Sequence, residues 1–234
     1  MGDAQPVNEQ ECLGLPFNEI LLTLAMFAMF LPQTNRKLTE VEYLEIERTA
    51  EFKSEFFDGE MFAMPGGTAE HSLIATNLAG ELRTRLKHHG CVVFNSDLRI
   101  KVEATALFTY PDLSIICGPA RFDDDSRDTA VNPTMLVEVL SDSTEAYDRG
   151  KKFEHYRQVQ TLEEYLLVSQ KEPRIEKFTR QPDGRWLFNE AVGLESNMEL
   201  PSLKVSISLA EVFANVSFAP APIRTVRAAQ SEQA

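Results

Sequence analysis

A chain of 234 residues is long enough to bury a sizeable apolar core without disulfide or metal staples, and it suits one domain or one domain with a tail. With 43% apolar and 25% charged residues, the composition is that of a globular protein and excludes disordered and fibrous classes for the bulk of the chain. Thirty-six acids against 23 bases give a formal net charge of -13, which speaks against a surface that coats nucleic acid non-specifically.

Residues 1–19 carry four acids and no Lys or Arg, so they lack the basic start of a secretory signal. Residues 20–31 form the only long apolar run, well short of the roughly 20 residues that span a bilayer. We read residues 1–35 as a poorly ordered or partly helical extension, with Met1, Met26 and Met29 all open as the start. A short helix covering an apolar patch is the runner-up. Residues 36–218 are the expected folded domain, and 219–234 a flexible tail. Cys12, Cys91 and Cys117 are odd in number and show no C-x-x-C pair, which reads as free thiols in a reducing cytoplasm, with Cys91 and Cys117 as small core residues.

Along the domain, Thr39 and Glu42 have capping-box spacing for a short helix to about Ala50. Asp58-Gly59 between the apolar arms Glu55–Phe57 and Glu60–Phe62 signals a hairpin. Thr68 can cap a long helix to about His89, with Ile74, Leu78, Leu82 and Leu86 in one stripe and Gly90 as its stop. Strands follow at 91–94 and 98–102, then at the dense apolar runs 109–117 and 134–140, each expected to be buried on both faces. A helix over 145–159 precedes a strand at 164–168, and strands at 174–180, 185–191 and 203–207 lead to a last helix capped by Ser208 and Glu211. The order predicts an α/β (α+β) fold, a mixed central sheet flanked by helices with a β-rich C-terminal part.

Two residues do not suit a core. Asp112 and Glu138 each fall in a run predicted to be a central strand, where a lone ionised carboxylate costs several kcal/mol of desolvation. If those strands are neighbours, the two carboxylates repel by about 4 kcal/mol at roughly 4 Å and an effective dielectric near 20. A divalent cation removes that penalty. Mg²⁺, with Mn²⁺ as a substitute, suits one or two carboxylates plus water. The helix after Glu138 carries Asp148, Lys152 and Tyr156 at i, i+4 and i+8, so Lys152 could place an ammonium beside the ion and a scissile phosphate.

The pieces Phe56-Phe57-Asp58-Gly59-Glu60, Glu70-His71, Tyr110-Pro111-Asp112, Val137-Glu138-Val139-Leu140-Ser141 and Asp148-Arg149-Gly150 with Lys152, Phe153 and Tyr156 resemble a known family. It is the Uma-type restriction endonuclease branch of the PD-(D/E)XK nuclease superfamily. The resemblance covers about residues 36–215. It implies a restriction-endonuclease-like fold, a metal held by Asp112, Glu138 and the carbonyl of Val139, and phosphodiester hydrolysis. The superfamily's usual lysine position, two after the Glu, is Leu140 here. Lys152 on the following helix is therefore the candidate, with Lys151 as the fallback, pointing about 100° away around the helix. His71, Glu60, Glu70 and Tyr156 are candidate supporting groups.

The expected function is a metal-dependent endonuclease acting on DNA, in the cytoplasm and as a homodimer, since cutting two strands usually takes two sites. A catalytically silent nuclease-fold protein that binds nucleic acid or regulates is the alternative. A glycosidase using Asp112 and Glu138 lacks aromatic sugar platforms around those strands. The charge deficit is unevenly spread: residues 1–60 hold twelve acids and four bases, whereas 81–101 hold five bases to two acids and 149–157 four to one. That pattern predicts a small basic footprint beside the site on an otherwise repelling surface.

Overall fold

The computed structural model describes residues 36–218. The chain divides between Lys37 and Leu38, and the elements below belong to the unit that begins at Leu38. The expectations for the N-terminal extension, its apolar run and Cys12, and for the C-terminal tail, lie outside the described residues.

Helix α1 (Glu40–Glu47) starts at the predicted capping box: Thr39 Oγ1 accepts the Glu42 amide, and the Glu42 carboxylate accepts the Thr39 amide. Strands β1 (Ser54–Phe57) and β2 (Glu60–Ala63) form the hairpin. Both turn residues, Asp58 (φ 49°) and Gly59 (φ 80°), are left-handed, as a tight two-residue hairpin loop requires. Helix α2 (Ala69–Leu86) is capped by Thr68, whose hydroxyl accepts the His71 amide, and it buries Ile74, Leu78, Leu82 and Leu86.

Strands β3 (Cys91–Asn95), β4 (Arg99–Val102), β5 (Leu107–Thr109), β6 (Leu113–Cys117), β7 (Thr129–Ala130) and β8 (Met135–Val139) follow. The predicted single strand over 109–117 is two strands. Pro111 has no amide proton to give a ladder, and the chain breaks at Tyr110-Pro111-Asp112, so Asp112 stands just before β6 and not inside a strand. The helix predicted over 145–159 is likewise segmented. It comprises α3 (Glu145–Tyr147), a π-helical turn (Asp148–Lys152) and α4 (Phe153–Tyr156). Beyond it come β9 (Glu164–Val168), β10 (Arg174–Arg180), β11 (Trp186–Val192), β12 (Asn197–Leu200), β13 (Val205–Ser208) and α5 (Leu209–Val212). Strand β12 was not expected, and Ser208, although it precedes α5, makes no side-chain capping bond.

The central sheet has six strands in the order β11-β10-β9-β8-β6-β3. Only β8 and β9 run parallel in it, joined through the segmented helix as a parallel pair requires. A second, five-stranded sheet has the order β2-β1-β5-β4-β7, and β12 pairs with β13. One core lies between α2, α5, the β12–β13 ribbon and the central-sheet face that carries Leu113, Ile115, Met135, Val137 and Val139. The other lies between Ile116, Leu136, Tyr165 and Leu167 on the opposite face and Ile100, Val102 and Leu107 of the second sheet. A smaller cluster, Tyr43, Leu44, Phe56 and Phe108, fixes α1 to the hairpin. Buried on both faces, β8 and β9 read in sequence as unbroken apolar runs.

The structure corrects the cysteine reading. Cys91 and Cys117 sit directly opposite each other in the β3–β6 ladder, with Cα atoms 4.0 Å apart, and they form a disulfide instead of lying free in the core. The pairing comes from strand register, which spacing along the chain does not reveal. No helix among the described residues is long and apolar enough to cross a membrane.

Candidate active site

Strand alternation sends Met135, Val137 and Val139 to one core and Leu136 and Glu138 to the other. Glu138 therefore enters the inter-sheet layer as a 4% exposed carboxylate. On one flank, the β6–β8 ladder ends at the Leu113–Val137 pair. Past that point Asp112 Oδ2 accepts the Val139 amide at 2.7 Å, so a side chain continues the ladder where the proline has broken it. The second flank is the helical segment. Asp148, Lys152 and Tyr156 all face inward and are buried, as their i, i+4, i+8 spacing predicts. The π turn winds more loosely than an α-helix and keeps Asp148 and Lys152 nearly in line; such turns are frequent at functional sites.

Lys152 Nζ lies 2.9 Å from Glu138 Oε1, 3.1 Å from Glu55 Oε1 and 3.5 Å from Asp148 Oδ1. Tyr156 donates to Glu138 Oε1 at 2.7 Å, and Thr109 donates to Glu55. From the other side of the sheet, His71 in the first turn of α2 brings Nε2 to 3.2 Å from Asp112 Oδ2. Glu55, His71, Asp112, Glu138, Asp148 and Lys152 line a cavity of about 780 Å³ together with Phe57, Phe62 and Lys151, and Tyr156 and Thr109 support it from behind.

The electrostatics follow from burial and crowding. Burial pushes the Glu138 carboxyl well above its usual range; Lys152 opposes the shift, and Asp148 and Asp112 add to it. For Lys152 burial acts against the charge, yet Glu138, Glu55 and Asp148 together outweigh it and hold the ammonium well above the ordinary lysine range. Burial raises Asp148 as well, with Lys152 opposing. The hydrogen bond to Asp112 raises the His71 imidazole, against burial, and the Asp112 charge and the Val139 backbone add to the rise. Glu55, Glu138 and Asp148 share Lys152 while Asp112 pairs with His71, so four carboxyl groups have only two basic side chains between them.

That deficit is the test of whether a divalent cation suits the site. Asp112 and Glu138 are hard oxygen donors on adjacent strand ends, both border the cavity, and the Val139 backbone meets both Asp112 and His71. Among the described residues no group of three or more His, Cys, Asp or Glu side chains is set to hold a metal by itself. Mg²⁺ does not need one, since it commonly takes one or two carboxylates and keeps several waters. The donor set and its excess charge fit such an ion.

The structure thus brings together Asp112, Glu138, Val139, Lys152, His71 and Tyr156. Lys151 points outward, more than half exposed, and pairs with Glu154 at 2.9 Å. Glu60 and Glu70 do not border the cavity: Glu60 lies exposed at the hairpin turn, and Glu70 lies one position before His71, about 100° around α2. The carboxylate that the hairpin does supply is Glu55, which sequence reasoning passed over. A signal existed, because Glu55 alternates with Phe56, and a strand that buries Phe56 in one cluster must turn Glu55 to its other face. The expected basic footprint is formed only in part: Lys151 and Lys152 border the cavity, but the other bases of those stretches are engaged or distant. Arg99 and Lys101 are tied to Asp128, Asp123 and Glu40, and Arg149 to Glu145 and Glu176. Arg83 lies twelve residues along α2 from His71, about 18 Å away.

A family model, Uma2, described as "Putative restriction endonuclease", matches residues 41–211. Two uncharacterized proteins of Synechocystis sp. are similar in sequence. One is 37% identical over 182 residues, covering 78% of this chain and 94% of the relative. The other is 33% identical over 177 residues, covering 76% and 100%. A crystal structure from Anabaena variabilis, described as a putative nuclease belonging to DUF820, superimposes with a TM-score of 0.60. It covers 74% of this chain and 96% of that one at 18% identity, a likeness of fold.

Proposed function

The chain belongs to the Uma2 family, whose description is "Putative restriction endonuclease", and on that premise we propose that it is a divalent-metal-dependent endonuclease that hydrolyses phosphodiester bonds of DNA. Mg²⁺ is the proposed ion and Mn²⁺ its substitute. The observation that carries the reading is the buried cluster itself: Asp112 and Glu138 at adjacent strand ends, with Lys152 Nζ 2.9 Å from Glu138. Three carboxylates around one buried lysine, with a fourth held by His71, are costly to the fold, and metal-assisted phosphoryl chemistry accounts for the arrangement.

In this scheme Asp112, Glu138 and the Val139 carbonyl hold the cation, which when bound lowers the pKa of water and offsets charge on the phosphate. Water gives up a proton to solvent as its oxygen bonds to phosphorus, one phosphorus–oxygen ester bond breaks, and the leaving oxygen takes a proton back from solvent. Lys152 borders the cavity and meets the charge that builds on the phosphate oxygens. Tyr156 holds the Glu138 carboxylate in its rotamer, and His71 holds Asp112. Lys152 is directed into the cluster, whereas a lysine aimed at solvent would favour the silent, binding-only reading.

The experiment is a nicking assay with purified full-length chain in Mg²⁺, in Mn²⁺ and in EDTA. Cleavage that needs the metal and is lost in Asp112→Ala supports the proposal. Robust cleavage by that variant in a clean preparation refutes it.

A further inference from the structure

Phe62 stands directly across the β1–β2 hairpin from Glu55, the carboxylate that holds Lys152. Opposite residues of an antiparallel pair share a face with Cβ atoms about 5 Å apart, so the aromatic ring and the lysine cluster border one space. Phe62 is 49% exposed on a short strand, although large apolar side chains are normally covered. Phe57, two residues after Glu55, continues the same face and packs edge-on against His155, with ring centroids 4.6 Å apart. Met64 and Pro65 extend the apolar wall, and Lys151 and Lys171 stand on the cavity's other elements. Lys151 holds the exposed Glu154, and Lys171 holds the exposed Asp142 and, more loosely, Glu145 at 3.5 Å; such solvent-facing pairs exchange for a phosphate at little cost.

We propose that this cavity takes an unpaired DNA strand, with a base stacked on Phe62 and the flanking phosphates met by Lys151 and Lys171, so that single-stranded or locally unpaired DNA is the substrate. The inference rests on the nuclease reading for its chemistry and on three separate observations for its specificity. Glu138 and Lys152 are each 4% exposed, so a phosphate must leave a stacked duplex and enter the recess to reach them. The cavity, at about 780 Å³, has room for a nucleotide but not for a helix with both strands. The bases that a duplex-tracking surface would need are committed elsewhere: Arg99, Lys101 and Arg149 are held by carboxylates. Aromatic stacking beside a cationic groove is how single strands are held, whereas duplex affinity comes mainly from many phosphate contacts.

The test is fluorescence anisotropy with the full chain in EDTA, using one labelled oligonucleotide of about 16 nucleotides as a single strand and as a blunt duplex. The single strand is expected to bind about tenfold or more tightly, with Phe62→Ala losing about tenfold and Phe62→Trp retaining the affinity. Equal or tighter duplex binding overturns the inference, as does unchanged single-strand affinity in Phe62→Ala. Cleavage of both forms in Mg²⁺ separates the two readings. Duplex cut as fast as single strand removes the inference and leaves the nuclease; a strand preference in binding without cleavage of either form removes the nuclease and leaves the preference.

Discussion

Lys152 and Glu138 form a buried ion pair at 2.9 Å, and the pair is not closed: Glu55 and Asp148 share the same ammonium at 3.1 and 3.5 Å. One cation thus serves three carboxylates in the layer between two sheets. Removing it leaves them with no counter-charge. Lys152→Met is expected to destabilise the fold by about 3–5 kcal/mol at neutral pH, read as a fall in Tm. Because the folded pKa of Lys152 is raised above 10.5, its contribution is complete below that value and is lost only as pH rises through the folded pKa. The Tm gap between wild type and variant should therefore not narrow from about pH 6 to about pH 9, since Glu138 and Asp148, which Lys152 holds down, can only widen it as pH rises. A gap that closes within that range contradicts a charged Lys152.

The excess carboxylates predict that a divalent cation stabilises the protein. A ligand of the folded state at 100 times its Kd contributes about 2.7 kcal/mol, so Mg²⁺ or Mn²⁺ should raise Tm in a saturable way. EDTA should reverse the rise, and Asp112→Asn should abolish most of it. A Tm indifferent to both ions would remove the metal from the site.

Gly67 packs against His71, and a Cβ placed there would come within 3.0 Å of the ring's Nδ1 and 3.1 Å of its Cγ. In Gly67→Ala the imidazole must shift by a few tenths of an ångström, which loosens its hold on Asp112. The expected result is metal affinity reduced by up to about tenfold with Tm in EDTA nearly unchanged, because Gly67 itself is exposed. Isothermal titration with Mn²⁺ reads the first quantity. Affinity equal to wild type would show that His71 does not position Asp112.

Outside the cavity lining, Arg48 clamps Asp128 at 2.8 Å and Asp124 at 2.6 Å, linking the end of α1 to the segment between β6 and β7. Hydrogen bonding to Arg48 holds the Asp128 carboxyl down at about 2, from 3.8. A depressed carboxylate contributes stability above its unfolded value and loses it as pH falls through the folded one, so the window is about pH 4 to about pH 2. With a third of Asp128 in solvent, screening leaves about 1 kcal/mol. Arg48→Ala should lower stability by that amount at pH 7 and match wild type near pH 2, as chemical denaturation at the two pH values would show.

Much of the fold was legible in the sequence because the signals were local. The Thr39–Glu42 box, the Asp58-Gly59 turn and the Ile74–Leu86 stripe each concern residues close along the chain, where sterics and hydrogen bonding act without tertiary help. The odd carboxylates were equally plain, since an acid inside an apolar run contradicts its surroundings whatever the fold. Asp112 and Glu138 could be named on that ground, whereas Asp148, Lys152 and Tyr156 were named from their i, i+4, i+8 spacing, and the choice of Lys152 rested on the family resemblance as well.

What the tertiary structure decided was which distant groups meet. Spacing along the chain does not reveal that Cys91 faces Cys117, that Asp112 bonds the Val139 amide across a broken ladder, or that Glu55 and not Glu60 reaches Lys152. Those facts depend on strand register and on which sheet packs against which, set by burial summed over the whole core. The basic stretches show the same division. Their charges are read directly from the sequence, but whether a charge is available for a ligand depends on which acid the fold brings beside it, and for Arg99, Lys101 and Arg149 the fold had already chosen.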